Sequence, residues 1–118
     1  MLNEIRDELK KLDMGPVEYG RAKNNPDTWN YIVFARRNMR TAGTSKVDYC
    51  RYYTVAIVHE DYIPEGTEVK VMKTLENIKG LKMSQEDIQY DYTVKKGSGT
   101  VVEMAVLTFV EQLKGYKL

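Results

Sequence analysis

Apolar residues return every three or four positions at the start of the chain, at Leu2, Ile5, Leu9 and Leu12. That spacing marks one face of a helix. Glu4, Arg6, Asp7, Glu8, Lys10 and Lys11 fill the other face. A single apolar stripe predicts a helix packed on a sheet and ending before Gly15-Pro16. The period then changes. Val17-Glu18-Tyr19-Gly20 alternates as a short strand suited to a sheet edge, and Asn24-Asn25-Pro26-Asp27 reads as a turn-rich loop. Residues 29–37 give a stronger strand, with Trp29, Tyr31, Val33 and Ala35 on one side and Asn30, Ile32, Phe34 and Arg36 on the other. Apolar residues on both sides of its middle predict a central place in the sheet.

Residues 38–47, with Asn38, Thr41, Gly43, Thr44 and Ser45, read as a loop or hairpin tip. A long strand over 48–60 follows, in which Tyr53, Val55 and Ile57 alternate with Tyr52, Thr54, Ala56 and Val58. The pair forms a long hairpin with a flexible, basic tip. Ile63-Pro64-Glu65 is expected to open a second helix, since proline suits a first turn and Glu65 and Glu68 complement the dipole there. Val71, Leu75 and Ile78 form its stripe, with Met72 beside it, and Gly80 is placed to cap it. The last part is a hairpin. Ile88, Tyr90, Tyr92 and Val94 alternate with polar residues as a half-buried strand, Lys96-Gly97-Ser98-Gly99 turns, and 100–113 is apolar on both faces across 104–110. Strands grouped with helices between the groups predict an α+β fold. Its sheet is mostly antiparallel, with a long hairpin and a C-terminal hairpin, and two helices cover one face.

A length of 118 residues fits a single domain over 1–118, and 42% hydrophobic with 30% charged residues is ordinary for a globular chain. Lysine and arginine number 18 against 17 acids, a net charge of +1. Gripping duplex DNA through many phosphates calls for a clear basic excess, so nucleic-acid contact would need a local patch. The lone cysteine, Cys50, allows no intramolecular disulfide, which suits a reducing compartment. The longest apolar stretches are about half of what a spanning helix needs. The opening Met1-Leu2-Asn3-Glu4-Ile5-Arg6 has no apolar core of a secretory signal. The expected setting is the inside of a cell, or a particle assembled there.

Candidate chemistry is thin. His59 is the only histidine, and Glu60, Asp61 and Tyr62 follow it. Neighbours on a strand point to opposite faces, so a metal site there is poorly spaced. Cys50 and His59 share one predicted strand, and nine residues at about 3.3 Å each put them roughly 30 Å apart, too far for a nucleophile and its base. A buried strand cysteine is the better reading. Gly97-Ser98-Gly99 lacks phosphate-loop spacing, and Ser98 lacks a nucleophile-elbow context. Glu60/Asp61 and Glu86/Asp87 are paired carboxylates at element edges, where solvated charge is usual. No enzyme activity, catalytic residue, cofactor or metal is expected.

Two features stand out. Nine of the twelve aromatic residues are tyrosine, at 19, 31, 49, 52, 53, 62, 90, 92 and 116. Tyrosine suits surfaces that are wet alone and buried in a complex, and it also simply favours strands. Arg36, Arg37, Arg40 and Lys46 bring four positive charges to residues 36–46 with no acid among them. A basic arm of this kind can dock on an acidic neighbour or meet a phosphate backbone, and it can also be a solvated loop.

The order of elements resembles that of tail-terminator and tail-to-head-joining (tail completion) proteins of long-tailed bacteriophages. Local phrases carry the likeness: Val17-Glu18-Tyr19-Gly20, Trp29-Asn30-Tyr31-Ile32-Val33-Phe34, Tyr53-Thr54-Val55-Ala56-Ile57-Val58, Glu60-Asp61 before Pro64, and Val102-Glu103-Met104. The resemblance covers nearly the whole chain. It implies a virion structural protein, assembled in the bacterial host cytoplasm. Such proteins form a ring, usually a hexamer, on the tail tube, stop its growth and meet the head connector. On this reading Arg36, Arg37, Arg40, Lys46, Tyr49 and Tyr52 carry assembly, with no membrane and no sequence-specific nucleic acid involved. The competing readings are a non-enzymatic adaptor or regulator, dimeric or monomeric, and a nucleic-acid binder whose affinity falls steeply with salt.

Overall fold

The computed structural model describes residues 1–22, 29–41 and 48–113. The chain runs α1 (Leu2–Lys11), β1 (Val17–Tyr19), β2 (Tyr31–Thr41), β3 (Tyr49–Glu60), α2 (Thr67–Glu76), β4 (Leu81–Met83), β5 (Gln89–Val94) and β6 (Val101–Leu113). Six strands make one sheet in the order β1-β2-β3-β6-β4, and β5 also pairs with β6. All pairings are antiparallel except β1 with β2, where Val17 lies beside Ile32. The expected α+β architecture is present.

Register explains the layering. Ile32, Ile57 and Ala105 stand on one rung, and Phe34, Val55 and Leu107 on another. These residues, with Tyr53 and Phe109, are buried against Ile5 and Leu9 of α1 and Val71 and Leu75 of α2. Fully burying one such side chain is worth about 1.5–3 kcal/mol relative to exposure. Helix α1 carries Glu4 in its first turn and Lys10 and Lys11 in its last, which matches the helix dipole. Gly15 then brings the chain close over β2. It has φ of +97°, and a Cβ there would stand 2.1 Å from the Asn30 carbonyl oxygen, so only glycine fits.

Several expectations change. Residues 38–41 are strand rather than loop, pairing with 49–52 beyond a bulge at Arg37. The proline-led segment does not open α2. The Thr67 N–H donates to the Pro64 carbonyl at 3.1 Å, closing a turn, and the helix begins at Thr67 after Gly66. Ile78 lies beyond the helix end yet still packs on the core. Leu81 is buried in a short strand, β4, that periodicity did not reveal. Strand β5 is exposed at all six positions rather than half-buried. Cys50 is half-buried. The Lys96–Gly99 stretch is the expected turn, where the Lys95 N–H donates to the Thr100 carbonyl at 2.7 Å. Lys46, Tyr116 and the Asn24-to-Asp27 loop lie outside the described residues.

Strands β4 and β5 follow one another along the same edge of β6. Met83 pairs with Phe109 and Gln89 with Val106, so residues 84–88 leave the ladder between them.

Candidate assembly surfaces

The side chains opposite the core come from the same strands. Tyr31, Val33 and Ala35 of β2, Thr54 and Ala56 of β3, and Met104 and Val106 of β6 alternate with core residues, and all are half-buried. Both helices sit on the core side. Among the described residues, no helix covers this second face. Trp29 lies against Tyr31 with ring centroids 6.3 Å apart, beside a small cavity of about 100 Å³ that Val58, Val102 and Met104 also line.

The arginines predicted to form one mobile arm stand on ordered strand and divide between the two faces. Arg36 is on the core side, where its Nε donates to the Tyr19 hydroxyl at 3.2 Å and pulls that phenol's pKa down. Arg37, at the bulge, reaches the opposite face. It pairs with Glu86 of the 84–88 excursion, whose pKa is lowered by that hydrogen bond. Arg37 and Arg40 lie 5.7 and 5.5 Å from the centroid of the Tyr52 ring, within cation–π range. Together with Lys82 these residues line a groove of about 540 Å³. Tyr49 is on the core side, where Arg51 lies 5.6 Å from its ring. So Arg37, Arg40 and Tyr52 come together, while Arg36 and Tyr49 do not join them. Sequence reading missed Arg51, Lys82 and Glu86. Arg51 was visible as a third basic strand residue, but nothing local marks Glu86 as a partner 49 positions from Arg37.

Tyrosine is used in three ways. Tyr53 is buried and its hydroxyl donates to Glu111 at 2.8 Å. Burial, then that carboxylate, push its pKa up to about 12. Tyr90 donates to Glu68 of α2, which together with partial burial takes its pKa to about 12, and Glu103 raises that of Tyr92. Tyr19, Tyr62, Tyr90 and Tyr92 keep exposed rings, and Val69 of α2 and the paired Val94 and Val101 at the end of β5 are exposed as well.

The polar end of β3 is occupied by structural contacts. His59 Nδ1 is 2.8 Å from the Glu60 carbonyl oxygen, and Lys95 Nζ donates to Glu60 at 2.9 Å, lowering the Glu60 pKa. His59 and Lys70 border an open cleft of about 440 Å³ between the ends of the helices. Cys50 pairs with Gln112 and His59 with Glu103, at opposite ends of β3. Among the described residues, no group of three or more His, Cys, Asp or Glu is arranged to hold a metal, and no helix is long and apolar enough to cross a membrane. Comparison with models of protein families returns no match, and comparison with curated proteins returns none.

Proposed function

We propose that this chain is a virion assembly protein of the tail-completion kind. On this reading it closes into a ring, expected to be hexameric, on the end of a tail tube, halts tube growth and offers a surface to the head connector. The observation that carries the reading is the second face of the sheet. One face already holds a complete core with both helices. The other presents Tyr31, Val33, Ala35, Ala56, Met104 and Val106 with no covering helix among the described residues. These side chains are half-buried, with Thr54 among them, and such a face without a helix over it leaves room for a protein partner. The resemblance of the sequence to tail-completion proteins supports the same reading.

The test is mass by light scattering over a concentration series, with negative-stain images of the same samples. A closed ring near six subunits is expected. A tight dimer, or a monomer at every concentration, would count against the ring. Deleting residues 38–46 would remove paired rungs of the β2–β3 ladder, so point substitutions are the cleaner probe.

A further inference from the structure

The sheet has two open stretches of edge, one on each side. On the β2 side, β1 covers only Ile32 to Phe34. Beyond the bulge, residues 38–41 have no outer strand among the described residues. On the other side, β5 pairs with β6 alone among the described residues. Natural proteins blunt open edges with lysine, proline or a covering element. Strand β5, Gln-Tyr-Asp-Tyr-Thr-Val, has no lysine and no proline, and all six residues are exposed.

The backbone groups of these edges can be assigned. Lys95 donates to Thr100 across the β5–β6 ladder. Residues of the same parity, 89, 91 and 93, therefore face β6, and 90, 92 and 94 turn their N–H and C=O groups outward. The Tyr92 N–H takes the Asp91 side-chain oxygen at 2.8 Å, a substitute for the carbonyl of a missing strand. On β2, Ile32 faces β1, where its N–H donates to Pro16. The bulge then shifts the parity, so Met39 and Thr41 face outward. Met39 is 64% exposed.

We propose that copies of this chain join edge to edge, with residues 38–41 of β2 in one copy laid antiparallel along residues 90–93 of β5 in the next. The direction follows from the sheet. β2 and β5 run opposite ways through β3 and β6, so the strand next to β5 in a continued sheet is antiparallel to it. One register fits best. Met39 opposite Tyr92 and Thr41 opposite Tyr90 join outward-facing backbone to outward-facing backbone. The same register sets Arg40 opposite Asp91 and Asn38 opposite Thr93 on the open face. Arg40 Cζ, stacked 5.5 Å from the Tyr52 centroid, would then meet the Asp91 carboxylate on the same face. Opposite charges directly across a ladder stabilise it, and like charges oppose it.

The two edges are different surfaces of one chain, so the contact is heterologous, and repeating it gives a ring where the rotation closes. The free stretch of β2 and the free stretch of β5 lie at different heights along the strands. The copies must therefore stagger, as the strands of a closed barrel do. This inference rests on the assembly reading and names the interface it uses.

The test compares four full-length proteins by light scattering: wild type, Arg40→Asp, Asp91→Arg, and the two changes combined. Each single reversal should weaken assembly at least tenfold, and the double reversal should restore it. Circular dichroism melts would confirm that all four fold. As a second measure, Met39→Cys and Tyr92→Cys are placed on separate chains, each with Cys50→Ser, and mixed under oxidation. Opposed residues of a hydrogen-bonded antiparallel pair lie about 5.5 Å apart at Cα, within disulfide reach, so a mixed dimer should form. Assembly that ignores both reversals overturns the interface and leaves the assembly reading standing, as does a folded double variant without rescue or an absent crosslink. Sensitivity to Asp91→Arg alone would mean that two β5 edges pair with each other, which also overturns it. A wild-type chain that stays monomeric at every concentration overturns both.

Discussion

The two faces of this sheet are built from alternate residues of the same strands, yet they end in different environments. On one face Ile32, Phe34, Val55, Ile57, Leu107 and Phe109 are at most 4% exposed beneath two helices. On the other, Tyr31, Val33, Ala35, Ala56, Met104 and Val106 are half-buried with no helix above them among the described residues. Both sets are apolar, the second less so, with Tyr31 and two alanines in it. What separates them is the placement of Ile5, Leu9, Val71 and Leu75, which give the helices one side to cover. The helices bury the first face throughout, whereas the second is buried only in places, at Val58, Val102 and Thr108.

Adjacent residues break the comparison most sharply. Phe34→Lys would put an unpaired charge among core side chains, a cost of several kcal/mol that rivals the whole stability of a domain. It should yield no cooperative thermal unfolding and a loss of near-UV dichroism. Val33→Lys, one residue away, can extend its ammonium into solvent. It should lower stability by about 1 kcal/mol or less while reducing the assembled mass in light scattering. A Val33→Lys protein as unfolded as Phe34→Lys would show that the second face is core after all.

Deletion within the core is the next largest effect. Phe109 is fully buried at the rung shared with Tyr53 and Met83. Phe109→Ala should cost about 3–5 kcal/mol in denaturant titration. Gly15→Ala comes after it. Its φ of +97° and the 2.1 Å approach to the Asn30 carbonyl oxygen force the α1–β1 connection to shift, at a cost of about 1–3 kcal/mol, read as a lowered melting temperature. A neutral Gly15→Ala would mean that α1 is hung over its face less tightly than the backbone contact implies.

Most of this plan was legible in the chain. Period located α1, the long hairpin, the stripe of α2 and the final hairpin, and β1, only three residues long, was found from its alternation between Gly15-Pro16 and the turn-rich 24–27 segment. The failures share a cause. β4 has three residues, too few for a period, and β5 alternates like a half-buried strand but lies on an open edge, where alternation says nothing about cover. Residues 38–41 are mostly polar, without the alternation that marks a strand, yet pairing with 49–52 holds them in the ladder. The candidate site was legible as residue types only. Arg37, Arg40 and Tyr52 were named, but their meeting with Glu86 depends on where the 84–88 excursion falls, which only the tertiary fold sets.

The smallest expected effect concerns how the core and the β5 edge fix their tyrosines. Burial and Glu111 hold the Tyr53 phenol at about 12, and Glu68 with partial burial does the same for Tyr90. Both values stand above the ordinary 10 of an unfolded chain. A raised value in the folded state means that the protonated phenol is favoured there. Its contribution is therefore complete below pH 10 and is lost as pH rises towards 12. Urea midpoints should be flat from neutral pH to about 9 and then fall across that window. Tyr53→Phe should lower the neutral midpoint and flatten the alkaline fall, because the hydroxyl it removes is the buried one. Tyr90→Phe should flatten the fall less, since Tyr90 is 46% exposed and water screens its contact with Glu68. Equal flattening by the two changes would mean that the β5 tyrosine is held as firmly as the core one. The edge would then be more rigid than its exposure suggests, and pairing with a second copy would cost correspondingly less ordering.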